Sequence, residues 1–265
     1  MKGKQKSWIL AGLKHLKAPI VFATLVALLF QVDGLNWDKP SDHVETFAGK
    51  MACTRAEWEA NRVAVPLDLE LGQNNNLLTN DGFCNALYHI CNTKPGSGHM
   101  TAPVCSSWVF LSRGSTLRSA SRPLGRSDSK AVEDGNILAA RALVLCLLAS
   151  AKAMFWCLEQ PASSLMYLHP CFQFLIRLLG MHRLRVNMSN YGAPTKKATL
   201  LYSSHACLDD IQNYTVEERL EQREMAVRYV NQKGENRVHG GKHLRASQAY
   251  PDEFLRLPCQ EKVCE

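Results

Sequence analysis

The ten cysteines of this 265-residue chain stand at irregular spacings, and no two form a Cys-x-x-Cys pair. That removes the usual framework of a structural zinc site, and no metal is expected. Cys146 and Cys157 lie inside apolar runs, where a thiol packs as a small hydrophobe. The pattern fits a reducing, intracellular compartment. Acid is missing in two places. Residues 2–17 carry five Lys and neither Asp nor Glu, and no acid occurs between Glu159 and Asp209.

A long hydrophobic run is missing as well. Residues 18–32, behind the basic start, form an apolar stretch of about 15 residues, shorter than the roughly 20 that cross a bilayer comfortably. No small-x-small cleavage site follows. The stretch reads as a marginal membrane anchor, a signal, or a helix packed on the domain, and the last fits the cysteine usage best.

What is present is a globular composition: 46% hydrophobic residues, enough for a substantial core, and a formal charge of +7. The charge is uneven. Residues 113–130 carry five Lys or Arg against Asp128 alone. That segment and the acid-free one after Glu159 would together attract a polyanion, nucleic acid above all, and a nucleic-acid partner would suit a nuclear location. The candidate phosphate contacts are Arg113, Arg118, Arg122, Lys196 and Lys197.

From residue 35 short apolar runs alternate with helical patterns, the signature of an α/β fold with a parallel sheet. The expected strands are 43–47, 63–67, 98–105, 154–161, 182–188 and 198–202. Helices are expected over 53–60, 81–92, from just after Gly135-Asn136 to about 152, and 170–179. Thr215-x-x-Glu218 reads as a capping box that opens a helix with Val227 and Val230 on its apolar stripe, followed by an irregular tail. The division is thus a basic N-terminus (1–34), an α/β domain (35–210) and a helical and irregular tail (211–265).

The central run, Met154 to Pro161, ends on Glu159, at the strand edge where open α/β sheets bind ligands. A glycine turn follows the first strand at Gly49, and Asp68 ends the second. A glycine there lets a ligand approach the backbone, and an acid at that distance can accept hydrogen bonds from ribose hydroxyls.

In this order, Phe47-Ala48-Gly49, Asp68, Pro103-x-Cys105 and Glu159-x-Pro161 resemble the motifs of cytosine-5 DNA methyltransferases. Arg118-Ser119, Pro123-x-Gly125, Gly135-Asn136, Glu159-Gln160-Pro161-x-Ser163-Ser164 and Tyr191-Gly192-Ala193-Pro194-x-x-Lys197-x-Thr199 are similar to a methyltransferase-like group found in dinoflagellate proteins and in protist and fungal mobile elements. The resemblance covers about residues 42–204. It implies a Rossmann-like fold with helices on both faces that binds S-adenosylmethionine, with Phe47, Gly49 and Pro103 at the cofactor and Asp68 near its ribose.

For activity it implies Cys105 as the nucleophile that adds to cytosine C6, Glu159 at the N3 edge of the ring, and a base flipped into the pocket. The chain departs from the family in four respects. Val104 precedes Cys105 where the enzymes have Pro, the second glycine of the first turn is absent, and no arginine motif follows the sixth strand. Finally, the residues after Tyr202 are too few for a separate target-recognition domain. A relative that keeps the fold but serves as a nucleic-acid or protein binding module is the alternative.

Overall fold

The computed structural model describes residues 39–203 and, beyond them, residues 205, 206, 208, 211, 226–234, 236–241, 250, 251 and 254. The apolar stretch 18–32 and the capping box at Thr215 lie outside the described residues.

The described chain is an α/β fold. In order it forms β1 (Ser41–Thr46), α1 (Ala52–Glu59), β2 (Ala64–Leu67), α2 (Asn80–Cys91), β3 (Thr93–Thr101) and a short α3 (Arg113–Thr116). Then come α4 (Lys130–Ala151), β4 (Phe155–Pro161), α5 (Pro170–Leu179), β5 (His182–Asn187) and β6 (Ala198–Ser203), and last β7 (Ala226–Val230) and β8 (Asn236–Gly240). Six strands make one sheet in the order β2-β1-β3-β4-β6-β5, and β7-β8 is a separate pair.

The four strands β1 to β4 pair in parallel, but β6 runs antiparallel to both of its neighbours, β4 and β5. The sheet is therefore mixed rather than parallel. The difference has a local cause. β5 ends at the same edge as β4, and only the segment 188–197 separates it from β6. A connection that short returns the chain as a neighbouring antiparallel strand, whereas another parallel strand needs a crossover of a dozen or more residues. The segment 188–197 consequently sits at the carboxyl ends of the parallel strands.

Alternation along β4 sorts the two faces. Trp156 and Leu158 join Val44, Leu87, Leu145 and Phe172 in one buried core under α2, α4 and α5. Cys157 turns to the other face, with Cys53 of α1, Met100, Leu184, Leu201, Ile211 and Phe254. Burying a residue such as Leu158 is worth about 2 kcal/mol relative to leaving it exposed. α4 is the one helix among the described residues long and apolar enough to cross a membrane, and its buried side packs into the first core.

Helix ends follow from particular side chains. Thr79 Oγ1 accepts the Gly82 amide at 3.1 Å to cap α2. His169 Nδ1 accepts Cys171 N at 3.2 Å, Pro170 opens α5, and Gly180 ends it at φ 61°. For α1 the cap comes from the strand beneath it: the Glu45 carboxylate accepts Thr54 N at 2.8 Å and Thr54 Oγ1 at 2.6 Å.

Two further expectations are corrected. α4 starts at Lys130 and runs through Gly135 and Asn136. Gly135 is there for packing, since a Cβ would stand 2.3 Å from Ser107 Oγ and 3.3 Å from Trp108 Nε1. Val227 and Val230 belong to β7, all five residues of which are exposed. β7 pairs with β8 in register from Ala226 and Gly240 to Val230 and Asn236, so this part of the tail is a hairpin and not a helical stripe.

Candidate functional site

The carboxyl ends of β1 and β2 meet in a turn of unusual backbone. Phe47 (φ 56°), Gly49 (φ 49°) and Met51 (φ 54°) are all left-handed within five residues. Non-glycine residues held there carry strain, which concentrates at functional sites. The Gly49 amide donates to Asp68 Oδ2 at 2.9 Å, while Asp68 Oδ1 accepts Glu70 N at 2.8 Å. The glycine turn and the acid of the second strand, separated by 19 residues, are therefore in direct contact. A Cβ placed on Gly49 meets nothing within 4 Å, so open space lies above the turn.

The loop after β3 is anchored through β4. Gln160 Nε2 donates to the Pro103 carbonyl at 2.7 Å, and Gln160 Oε1 accepts Ser164 Oγ at 2.9 Å. The motif residues Gln160 and Ser164 thus clamp the loop that carries Cys105. Pro103 itself is buried and contributes its carbonyl to that clamp.

Cys105 and Glu159 lie close enough for one to act on the other. Burial, and next to it the Glu159 charge, push the Cys105 thiol up to about 11, with Lys197 pulling weakly in the opposite direction. A cysteine nucleophile needs the reverse shift. Neither Arg113 nor Arg118 contributes; the cation at this site is Lys197.

Glu159 is 5% exposed, and its Oε1 stands 3.2 Å from Lys197 Nζ. The pair is ionic without hydrogen-bond alignment, and Glu159 Oε1 has no hydrogen-bond partner. Thr195 Oγ1, in the same segment, is buried and likewise without one. Tyr250 covers the pair, its ring centroid 5.5 Å from Lys197 Nζ. Burial, reinforced by the Glu159, Cys53, Cys157 and Glu45 charges, holds its phenol well above the usual range.

The expected phosphate contacts do not form one surface. Arg118 is 2% exposed. Its guanidinium donates to Ser107 O, Pro123 O, Asn136 Oδ1 and Val132 O at 2.7 to 3.1 Å and lies 3.4 Å from the centroid of the Trp108 ring. It organises the loop from within and is unavailable to a phosphate. Lys197 is held by Glu159. Of the other cations in 113–130, Arg126 pairs with Asp128 and Lys130 with Asp134, each at a closest approach of 2.6 to 2.7 Å. Arg113 donates to Ser163 O at 3.1 Å and Arg122 to Gly125 O at 3.0 Å. Only Arg122 and Lys196 of the five candidates are plainly exposed.

Glu45 escaped the sequence reading. It is 3% exposed, and burial raises its acid despite the Thr54 hydrogen bonds. An acid in the middle of a strand was the available signal; its partner across the turn was not. Among the described residues no group of three or more His, Cys, Asp or Glu is placed to hold a metal.

No model of a known protein family matches the chain, and no curated protein is significantly similar to it.

Proposed function

We propose that the chain is an S-adenosylmethionine-dependent methyltransferase-like protein that acts on nucleic acid, with cytosine C5 of DNA as the candidate target. The observation that carries the reading is the Gly49 amide bonded to Asp68 at the ends of β1 and β2. It joins a left-handed turn under open space to an acid whose remaining lone pairs can accept from ribose hydroxyls. Phe47, Gly49 and Asp68 fit the cofactor on that account. When bound, it would supply an electrophilic methyl group. Glu159 would offer an acceptor to the edge of a base, with Lys197 paired beside it at 3.2 Å.

A specific observation favours a second reading. A thiol near 11 at Cys105 suits a protein that retains the cofactor cleft and a binding role without thiolate chemistry.

Isothermal titration with S-adenosylmethionine tests the first reading. The native chain is expected to bind at or below about millimolar cofactor, and Asp68→Ala to weaken binding roughly tenfold, the loss of one good charge-assisted hydrogen bond. Gly49→Val is expected to abolish it, because a β-branched residue resists the left-handed backbone. Absence of heat for the native chain would leave the cleft without its cofactor.

A further inference from the structure

The strand-end site needs a route by which a polyanion reaches it. In 113–130 Arg118 is buried, Arg113 is turned to a loop carbonyl, and Arg126 and Lys130 are paired with acids, so a continuous basic row is sought elsewhere. β5 is the last strand in the sheet order. Its Leu184 and Val186 point into the second core, so Arg183 and Arg185 project from the opposite face, and both are exposed. Arg183 lies opposite Tyr202 and Arg185 opposite Leu200 on β6. They are two residues apart, about 7 Å along a strand.

The row continues at both ends. Arg177, in the last turn of α5, precedes the strand across Gly180 and Met181. At the other end β5 runs into the segment 188–197, where Met188 N bonds Lys197 O at 3.2 Å and Lys196 is exposed. The next residue, Lys197, is the one paired with Glu159. No Asp or Glu lies between Glu159 and Asp209, and among the described residues no acid pairs with Arg177, Arg183, Arg185 or Lys196.

We propose that single-stranded nucleic acid lies along the edge strand β5, its phosphates on Arg183, Arg185 and Lys196, and so arrives at the strand-end site beside Glu159. The inference rests on the nucleic-acid reading above and adds its surface and strandedness. The charge is complementary to a phosphate backbone, and among the described residues no acid pairs with it. Arg183, Arg185 and Lys196 follow one another along a single edge strand and the segment after it, and the Glu159 and Thr195 acceptors beside its end are buried and without a hydrogen-bond partner. A base reaches them once it is free of a duplex stack.

The test is fluorescence anisotropy of a labelled oligonucleotide of about 20 nucleotides at about 50 mM salt without cofactor, on the full chain. Arg183→Glu with Arg185→Glu is expected to lower affinity roughly tenfold or more. The slope of log affinity against log salt should become shallower by about 1.4, two phosphate contacts at about 0.7 each for a single strand. Lys196→Glu, outside any strand, repeats the test where the strand variant unfolds. Arg122→Glu, on the other basic segment, should change affinity less than about twofold.

Unchanged affinity in the β5 and Lys196 variants, or tighter binding of the matching duplex, would overturn the proposal while leaving the nucleic-acid reading in place. Binding to phosphatidylserine vesicles through the same arginines, with none to the oligonucleotide, would make the surface a membrane contact and overturn both. The cofactor titration reads the β1–β2 cleft separately, so its outcome is independent of this one.

Discussion

Lys197 Nζ stands 3.2 Å from Glu159 Oε1, with the two side chains 15% and 7% exposed. The contact exists because β6 returns antiparallel beside β4, bringing the residue before its first strand position over the carboxylate that β4 delivers. Removing one partner of a buried pair leaves the other charge uncompensated. Lys197→Met is expected to lower unfolding stability by about 3 kcal/mol in urea titrations. Adding Glu159→Gln to that variant should recover most of the loss, since no buried charge then remains. If the two substitutions are simply additive, the pair is not coupled.

Arg118 makes the opposite case for a cation first read as a surface group. Its guanidinium satisfies several carbonyls of its own loop and of α4 and stacks on Trp108. Arg118→Ala should destabilise the protein by about 3 kcal/mol or more, because those acceptors lose their donor inside the fold. Arg118→Lys should rescue little of it, an ammonium being unable to reproduce the planar fork. Oligonucleotide affinity per folded molecule is expected to stay unchanged; a selective loss of binding at full stability would return Arg118 to the surface role.

Much of the parallel half of the sheet was legible. The runs ending at Thr46, Leu67 and Pro161 carry their own stop signals, and the glycine and acid at the first two ends, which spacing alone only suggests as neighbours, meet in one hydrogen bond. The antiparallel strand was less so, because its direction depends on the length of a connection that can be read two ways until the pairing is known. Lys197 could not be assigned to Glu159 from the sequence, since the two stand 38 positions apart with a strand reversal between them. The segment 226–240 was misread for a different reason: Val227 and Val230 suit a helical stripe, yet they also lead directly into Asn231 and Gly234, turn residues that make a hairpin with the strand beyond. Arg118 looked like any exposed arginine in a polar loop, and the signal that it is internal, Trp108 beneath it, lies ten residues earlier.

Three buried histidines set the acid limb of stability. Burial lowers His43 to about 3 and His99 and His169 to about 4; nearby His99 and Arg62 add to the effect at His43, and Arg118 at His169. Each is neutral in the fold but charges near 6.5 in the unfolded chain. The unfolded state therefore binds more protons, and stability present above about pH 6.5 is lost as pH falls toward 4. By pH 5 each histidine accounts for about 2 kcal/mol of the loss. Glu45 and Glu57, whose acids are raised above the ordinary carboxylate value chiefly by burial, act with the opposite sign inside the same window and offset part of the drop. Urea midpoints at pH 7.5 and 5 check this: His99→Gln should flatten the drop, and a stability indifferent to pH over that range would refute it.

The last prediction concerns which neighbour controls Cys105. The thiol stands near 11, raised by burial first and by the Glu159 charge second, with Lys197 lowering it. At pH 7.5 roughly three thiols in ten thousand are thiolate, and since alkylation proceeds through the thiolate, the rate should climb about tenfold per pH unit up to pH 10. Glu159→Gln removes the charge that disfavours the anion and should speed iodoacetamide labelling of Cys105 at fixed pH. Lys197→Met removes the favourable charge and frees the carboxylate to repel, so it should slow labelling. Peptide mass spectrometry assigns the modified cysteine, which matters because Cys171 is exposed. Incubation with cofactor and 5-fluorocytosine oligonucleotides then decides the chemistry. A covalent adduct that vanishes in Cys105→Ser would mean that bound substrate lowers the thiol enough for attack. No adduct on DNA or RNA, with labelling that still responds to Glu159 and Lys197 in the expected directions, would place Cys105 electrostatically in the site and deny it the role of nucleophile.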